Sequence, residues 1–269
     1  MIKRLLTAIA LTAFVFPAAA WADTQITAVG STALLPLVKQ AATEYSQAHQ
    51  GINISVSGGG SYVGIAQARS GAAELGDSDV IAPGNSGLLD HKVAVVGFAV
   101  IVNPSAHVTN FTASQVRGIF AGRITNWKNV GGADQGIVVI NRPRTSGTRA
   151  VFNATMMGVS KINEAGLTVD SSGTVVATVV ATPGSISYVA LAYTRDKPLT
   201  VVRINGVAPV EASIVTGKYP IWSYEHIFTK GKPSPDVANF ITYIASNTLL
   251  LEKLGYIPMS HMKVKETNR

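Results

Sequence analysis

An α/β fold with mostly parallel sheets is what this sequence predicts, and three observations predict it. Apolar residues switch along the chain between a period of two and a period of three to four, so strands alternate with helices. A loop rich in Gly, Ser and Thr separates strand from helix at three places: Gly30-Ser31-Thr32, Ser57-Gly58-Gly59-Gly60-Ser61 and Thr145-Ser146-Gly147-Thr148. The composition, 47% hydrophobic and 14% charged, allows a substantial core and argues against disorder. In layered α/β domains, ligands sit at the carboxyl ends of strands, where the helices begin.

The elements follow in order. Lys3 and Arg4 open the chain, Leu5 to Ala20 is apolar, and Ala20-Trp21-Ala22 has the small-x-small form of a signal-peptidase site. Residues 1–22 are therefore expected to be a signal peptide cleaved near Ala22, which places the mature protein in the periplasm or makes it secreted. The chain has no cysteine, which excludes disulfides, a thiolate nucleophile and a lipidated cysteine; a lipid anchor is not expected. Residues 23–269 suffice for two domains of ordinary size.

Gln25 to Val29 reads as a strand. Leu34, Leu37, Val38, Ala41, Ala42 and Tyr45 then recur at helical spacing. Ile52, Ile54 and Val56 alternate as a second strand, and the helix after Ser61 ends near Ser70-Gly71. A short strand precedes Asp77 and Asp79, and the ten apolar residues from Val93 to Val102 suit a buried strand, being too few for a membrane span. Thr112 reads as the N-cap of a helix through Phe120. Gly136 to Ile140 is a strand, and the helix that follows "RPRTSGTRAVF" stops at Gly158. "DSSGTVVATVVATPG" reads as helix then turn before the strand "ISYVAL", and Pro233-Ser234-Pro235 introduces a last helix carrying Val237, Phe240, Ile241 and Ile244.

The formal charge is +7, of which Lys3 and Arg4 carry two. No basic run is interleaved with aromatics, so nucleic acid is not an expected partner. No Gly-x-Ser-x-Gly elbow, His-Glu-x-x-His pair or nucleotide phosphate loop occurs. The five histidines, at 49, 91, 107, 226 and 261, stand singly and read as surface residues, and no metal or cofactor is expected. A Ser-His-Asp site assembled across the fold, with Ser61 or Ser146 as nucleophile, stays open as an alternative.

Each loop taken alone is explained by helix capping, since the first N–H groups of any helix lack partners. Three helix starts converging on one cleft would instead present free N–H groups and partial positive charge to an anion. Arg142 and Arg144, just before the third loop, could add full charge and paired donors. Asp77 and Asp79 have the opposite sign. They read either as turn formers or, if one enters the cleft, as a filter that repels any anion lacking a proton, which suits hydrogen phosphate and not sulfate.

The motifs "AVGSTALLPL", "SGGGSYVGI", "GDSDVIA", "IFAGRITNWKNVGG", "RPRTSGTRAVF", "PGSISYV" and "YPIWSYEHIFTKG" occur in this order from about Thr24 to the last helix. In this the chain resembles the phosphate-binding proteins of ATP-binding-cassette importers, a branch of the type II periplasmic binding proteins. The resemblance implies two α/β lobes joined by two crossing strands, with the ligand cleft between them. It implies a monomer that performs no chemistry and hands inorganic phosphate to a membrane permease. The crossings are expected near Val100 to Asn103 and near Tyr219 to Tyr224, so residues 23–101 with 222–269 form one lobe and 102–221 the other.

Carried onto this sequence, the resemblance implies that Thr32, Ala33 and Ser61 donate from the first two loops. Asp79 accepts the ligand's proton, Arg142 pairs with its charge, and Ser146, Gly147 and Thr148 donate from the third loop. Two positions depart from the pattern. Ser61-Tyr62-Val63-Gly64 lacks a hydroxyl that relatives often carry, and Pro143-Arg144 stands where an acid is common, which predicts a more positive site. Arsenate, sulfate and molybdate are the alternative ligands.

Overall fold

The computed structural model describes residues 23–265, so the expected leader lies outside the described residues. The chain enters through β1 (Thr24–Gly30), α1 (Leu35–Ala48), β2 (Ile52–Gly58), α2 (Ser61–Ser70) and β3 (Leu75–Ser78). Strand β1 pairs in parallel with β2 on one side and β3 on the other. Helix α1 buries Leu37, Val38, Ala41, Ala42 and Tyr45, the stripe that its spacing predicts. Helix α2 comes closer to the sheet. A Cβ at Gly64 would lie 2.6 Å from the Val29 carbonyl oxygen and 2.7 Å from that of Asp77, so the missing side chain is what permits the contact.

Next comes β4 (Leu88–Val102), buried from Val93 onward. Beyond it the chain forms β5 (Asn110–Phe111), α3 (Ala113–Phe120), β6 (Val138–Asn141), α4 (Gly147–Phe152), β7 (Leu167–Thr168), α5 (Ser172–Ala181) and β8 (Ser185–Ala190). Helix α4 runs on through a π turn, Asn153–Met157, to Gly158. The remaining elements are β9 (Thr200–Val201), β10 (Arg203–Ile204), α6 (Glu211–Ile214), β11 (Trp222–Lys230), α7 (Pro235–Ser246) and α8 (Thr248–Lys253).

The main sheet runs β2-β1-β3-β11-β4-β8-β6-β7, with β9 also on β4. Both ends of this order are parallel, as the alternation of strand and helix predicts. The middle is antiparallel, because β11 carries the chain back along β4 in the opposite direction. Strand β4 holds two ladders in succession: Leu88 to Gly97 face β11, and Phe98 to Val102 face β8. At the change of ladder the Phe98 N–H donates to the Ile221 carbonyl at 2.9 Å, and the Tyr219 hydroxyl donates to the Phe98 carbonyl at 2.9 Å.

One expectation fails outright. His226 is fully buried. Strand β11 is buried along nearly its whole length, so both alternating sets of its side chains are covered. The imidazole Nδ1 sits 2.7 Å from Asp90, and the ring stacks on Phe228. The histidine count and spacing contain no trace of this, because strand position within a sheet is not a local property. Helix α8, begun by the Asn247 side chain, also follows α7 where no second helix was expected.

Candidate functional site

The three loops end β1, β2 and β6 and open α1, α2 and α4, all towards one buried cleft. Neither α1 nor α2 has a side-chain cap at its start. The loop before α1 is held by its carbonyls. Tyr193 donates to the Thr32 carbonyl at 2.6 Å, and Tyr256 to that of Ala33 at 2.5 Å. In a trans peptide the N–H points away from the carbonyl, so these phenols turn the Ala33 and Leu34 N–H groups inward. Both of those N–H groups reach the Ser31 hydroxyl, at 3.0 and 3.4 Å.

Asp79 stands at the centre. Its Oδ1 accepts from the Ser31 hydroxyl, and its Oδ2 accepts from the Thr148 hydroxyl at 2.7 Å. Its own N–H donates to Ser61 Oγ at 2.9 Å. Burial raises its carboxyl above the usual aspartate range, while those hydroxyls and the Arg142 charge oppose the shift. Asp77, two residues earlier, is fully buried, and neither carboxylate oxygen has a hydrogen-bond partner. Burial and the Asp79 charge hold its carboxyl well above the ordinary range.

Arg142, the residue after β6, lies near Asp79 and is only 1% exposed. Its Nη2 donates to the Thr32 hydroxyl at 3.1 Å and to the Asp170 carbonyl at 3.0 Å, and Nη1 lies 3.5 Å from the Ser172 hydroxyl. Its Nε is buried without a partner. Arg144 does not join it: the side chain is 86% exposed and reaches Glu164 at 3.4 Å. Glu164 also takes Arg149 at 2.6 Å, so an acid from further along the chain offsets part of the more positive character that Pro143-Arg144 predicts.

All eight residues singled out in the sequence are brought together and buried. Thr32 meets Arg142, Thr148 meets Asp79, and a Cβ added at Gly147 would collide with the Ser61 hydroxyl and lie 3.0 Å from Asp79 Cβ. Ala33 is enclosed beside Ser31. The Ser146 hydroxyl turns back on its own helix and accepts from the Arg149 N–H at 3.2 Å.

Other residues join the cleft without having been singled out. Ser172, at the start of α5, places its hydroxyl 3.0 Å from that of Thr32, and its N–H donates there at 3.2 Å. A signal existed: Ser172-Gly173-Thr174 repeats the Ser146-Gly147-Thr148 triplet. Tyr193 and Tyr256 had none, because their roles arise only when distant segments meet. Among the described residues, no cluster of His, Cys, Asp or Glu could hold a metal. No helix among them is long and apolar enough to cross a membrane.

Comparison with known proteins agrees with this geometry. Residues 17–248 match the model of the PBP superfamily domain. The chain is 41% identical over 251 residues to a Bacillus subtilis protein named phosphate-binding protein PstS, covering 90% of this chain and 83% of that one. This chain belongs to the phosphate-binding-protein family of the PBP superfamily. A crystal structure of a putative phosphate ABC transporter substrate-binding protein from Clostridium perfringens, with bound phosphate, superposes with a TM-score of 0.84 at 26% identity. It covers 88% of this chain and 100% of that one. An ABC-type phosphate transport receptor from Vibrio cholerae gives a TM-score of 0.70 at 29% identity, covering 86% and 99%. The mixed α/β architecture is thus that of the family.

Proposed function

We propose that the cleft captures inorganic phosphate and that the protein delivers it, as a monomer outside the cytoplasm, to the membrane permease of an ABC importer. Residues 23–101 with 222–269 act as one lobe and 102–221 as the other, closing on the ligand between them. The observation that carries the reading is the pairing of opposites in one buried cleft. Asp79 can only accept and Arg142 can only donate, with uncapped helix starts around them. An anion that keeps a proton satisfies both, and one without a proton meets the bare carboxylate.

Phosphate is therefore held by Arg142, by the Thr32, Ser61, Ser146 and Thr148 hydroxyls, and by the N–H groups of the three loops, Ala33 and Gly147 included. Asp79 takes its proton. The relatives named for phosphate support this ligand. No turnover is proposed. Ser61 Oγ accepts from the Asp79 N–H and Ser146 Oγ from the Arg149 N–H, and among the described residues no histidine or carboxylate is hydrogen-bonded to either hydroxyl. The test is calorimetric titration of ligand-stripped protein with phosphate, arsenate and sulfate. Phosphate and arsenate should bind, with sulfate far weaker; sulfate binding as tightly as phosphate would overturn the reading.

A further inference from the structure

Two phenols hold the first loop, and they come from different parts of the molecule. Tyr256 is followed by Ile257, whose N–H and carbonyl both bond to Val95 of β4 at 2.9 Å. That stretch of β4 pairs with β11 and so belongs to the half of the sheet that carries β1. Tyr193 stands three residues after β8, which pairs with Phe98 to Val102 of β4 and with β6. Its ring packs against the apolar cluster of Ile140, Val175 and Val179. In the lobes proposed above, Tyr256 shares a lobe with the first loop, and Tyr193 reaches it from the other.

Tyr193 does not reach across alone. The Thr32 hydroxyl accepts from Arg142 at 3.1 Å and from the Ser172 N–H at 3.2 Å, and it pairs with the Ser172 hydroxyl at 3.0 Å. With the Tyr193 bond to the Thr32 carbonyl at 2.6 Å, both polar ends of this residue are held by side chains and backbone from residues 102–221. Two positions on, Arg195 donates to the Lys253 carbonyl at 2.9 Å, so the turn after β8 is fastened to the opposite lobe twice.

We propose that Tyr193 is a positioning residue that latches the lobes: its hydroxyl engages the Thr32 carbonyl only on closure, and thereby readies the Ala33 N–H for phosphate. The proposal rests on the phosphate reading of the cleft and on its two lobes. A carbonyl that accepts a hydrogen bond polarises its peptide, and the N–H of that peptide becomes a stronger donor. In the Thr32–Ala33 peptide this N–H is the one that the phosphate reading gives to the ligand. Tyr256 does the same for the next peptide from within its own lobe, whether the cleft is open or closed. The Tyr193 bond depends on closure. At 2.6 Å it is lost once the oxygens pass about 3.5 Å, so a shift of about 1 Å undoes it even this close to the crossing strands. The latch therefore resists opening, and it is absent from the open form that phosphate enters.

The experiment compares wild type, Tyr193→Phe and Tyr256→Phe, each stripped of ligand and mixed with inorganic phosphate in stopped-flow fluorescence. Loss of one net hydrogen bond corresponds to about threefold to tenfold. Tyr193→Phe should raise the dissociation rate constant by that factor. Its association rate constant should stay within about twofold of wild type, and its ligand-free urea midpoint should not change. Tyr256→Phe should lower the ligand-free midpoint, because the buried Ala33 carbonyl loses its partner in both forms. Carbon-13 carbonyl shifts provide a second arm. At Thr32 the difference between wild type and Tyr193→Phe should appear with saturating phosphate and vanish without it. At Ala33 the difference between wild type and Tyr256→Phe should persist in both. An unchanged dissociation rate in Tyr193→Phe would overturn the proposal. So would a lower ligand-free midpoint, a failure to fold or a Thr32 shift difference in ligand-free protein, since the bond would then be a fixed strut. Failure of wild type to bind phosphate would overturn the phosphate reading instead, and the ligand-free shifts and midpoints would still separate latch from strut.

Discussion

Helices α1 and α2 begin without a side-chain cap, whereas α3 and α7 are capped at their own ends. Thr112 and Gln115 form a reciprocal capping box on α3, and the Ser234 hydroxyl accepts from the Val237 N–H at the start of α7. All four starts carry small polar residues in the sequence. The difference lies in what each start faces. The peripheral starts of α3 and α7 are closed by their own N-cap side chains; at the cleft, α1 and α2 have no side-chain cap, while α4 keeps one in Ser146. Local composition therefore marks a helix start, and the surroundings make it a cap or a ligand site.

The largest expected effect breaks the comparison at its centre. A bare carboxylate about 4 Å from a second unit charge, at an effective dielectric near 20, is repelled by about 4 kcal/mol, roughly a thousandfold in affinity. Wild type should discriminate against sulfate on that scale. Asp79→Asn should narrow the gap mainly by admitting sulfate, since the amide removes the charge and supplies a donor. Paired titrations of both anions on both proteins check this, and an unchanged ratio would remove Asp79 from the role of proton reader.

Next come the arginines. A hydrogen bond to a charged group contributes about 1.5–3 kcal/mol, so Arg142→Ala should weaken phosphate by at least about tenfold. Arg144→Ala should cost less than about threefold, because its side chain points to solvent and an exposed ion pair contributes little. If titration ranked them the other way, Arg142 would not be the arginine that the ligand meets.

The capped side of the comparison predicts a loss of stability without a loss of binding. Thr112→Ala should lower the unfolding free energy by about 1 kcal/mol in urea, with phosphate affinity unchanged. Ser61→Ala should weaken phosphate, because its hydroxyl also positions the Asp79 backbone. Equal effects of both substitutions on affinity would erase the distinction between the two kinds of helix start.

The smallest effect concerns Asp77. Its folded-state pKa is raised, so its contribution to stability is full below the ordinary aspartate range and lost as pH rises towards the raised value. An asparagine cannot ionise. Asp77→Asn should therefore match wild type in acid and gain in melting temperature towards neutral pH, measured without ligand. A gain at acid pH alone would have the sign wrong.

The periodicity of Leu37, Val38, Ala41 and Tyr45, the alternation at Ile52, Ile54 and Val56, and the Ser-Gly-Thr helix starts are local, so the sequence by itself determined the strand–loop–helix units and the residues at their tips. Resemblance of ordered motifs then extended this to the family and to all eight cleft residues. The sequence could not rank Arg142 above Arg144, since two arginines two residues apart differ only in which way the chain turns. It could not bury His226, identify Ser172 among several serines, or bring Tyr193 and Tyr256 onto the first loop. Those outcomes depend on which segment lies beside which, and β11 reaches β3 and β4 through residues more than a hundred positions apart. Tertiary structure alone decided them, because burial, and with it the upward pull on the Asp77 and Asp79 carboxyls, depends on everything packed around a residue.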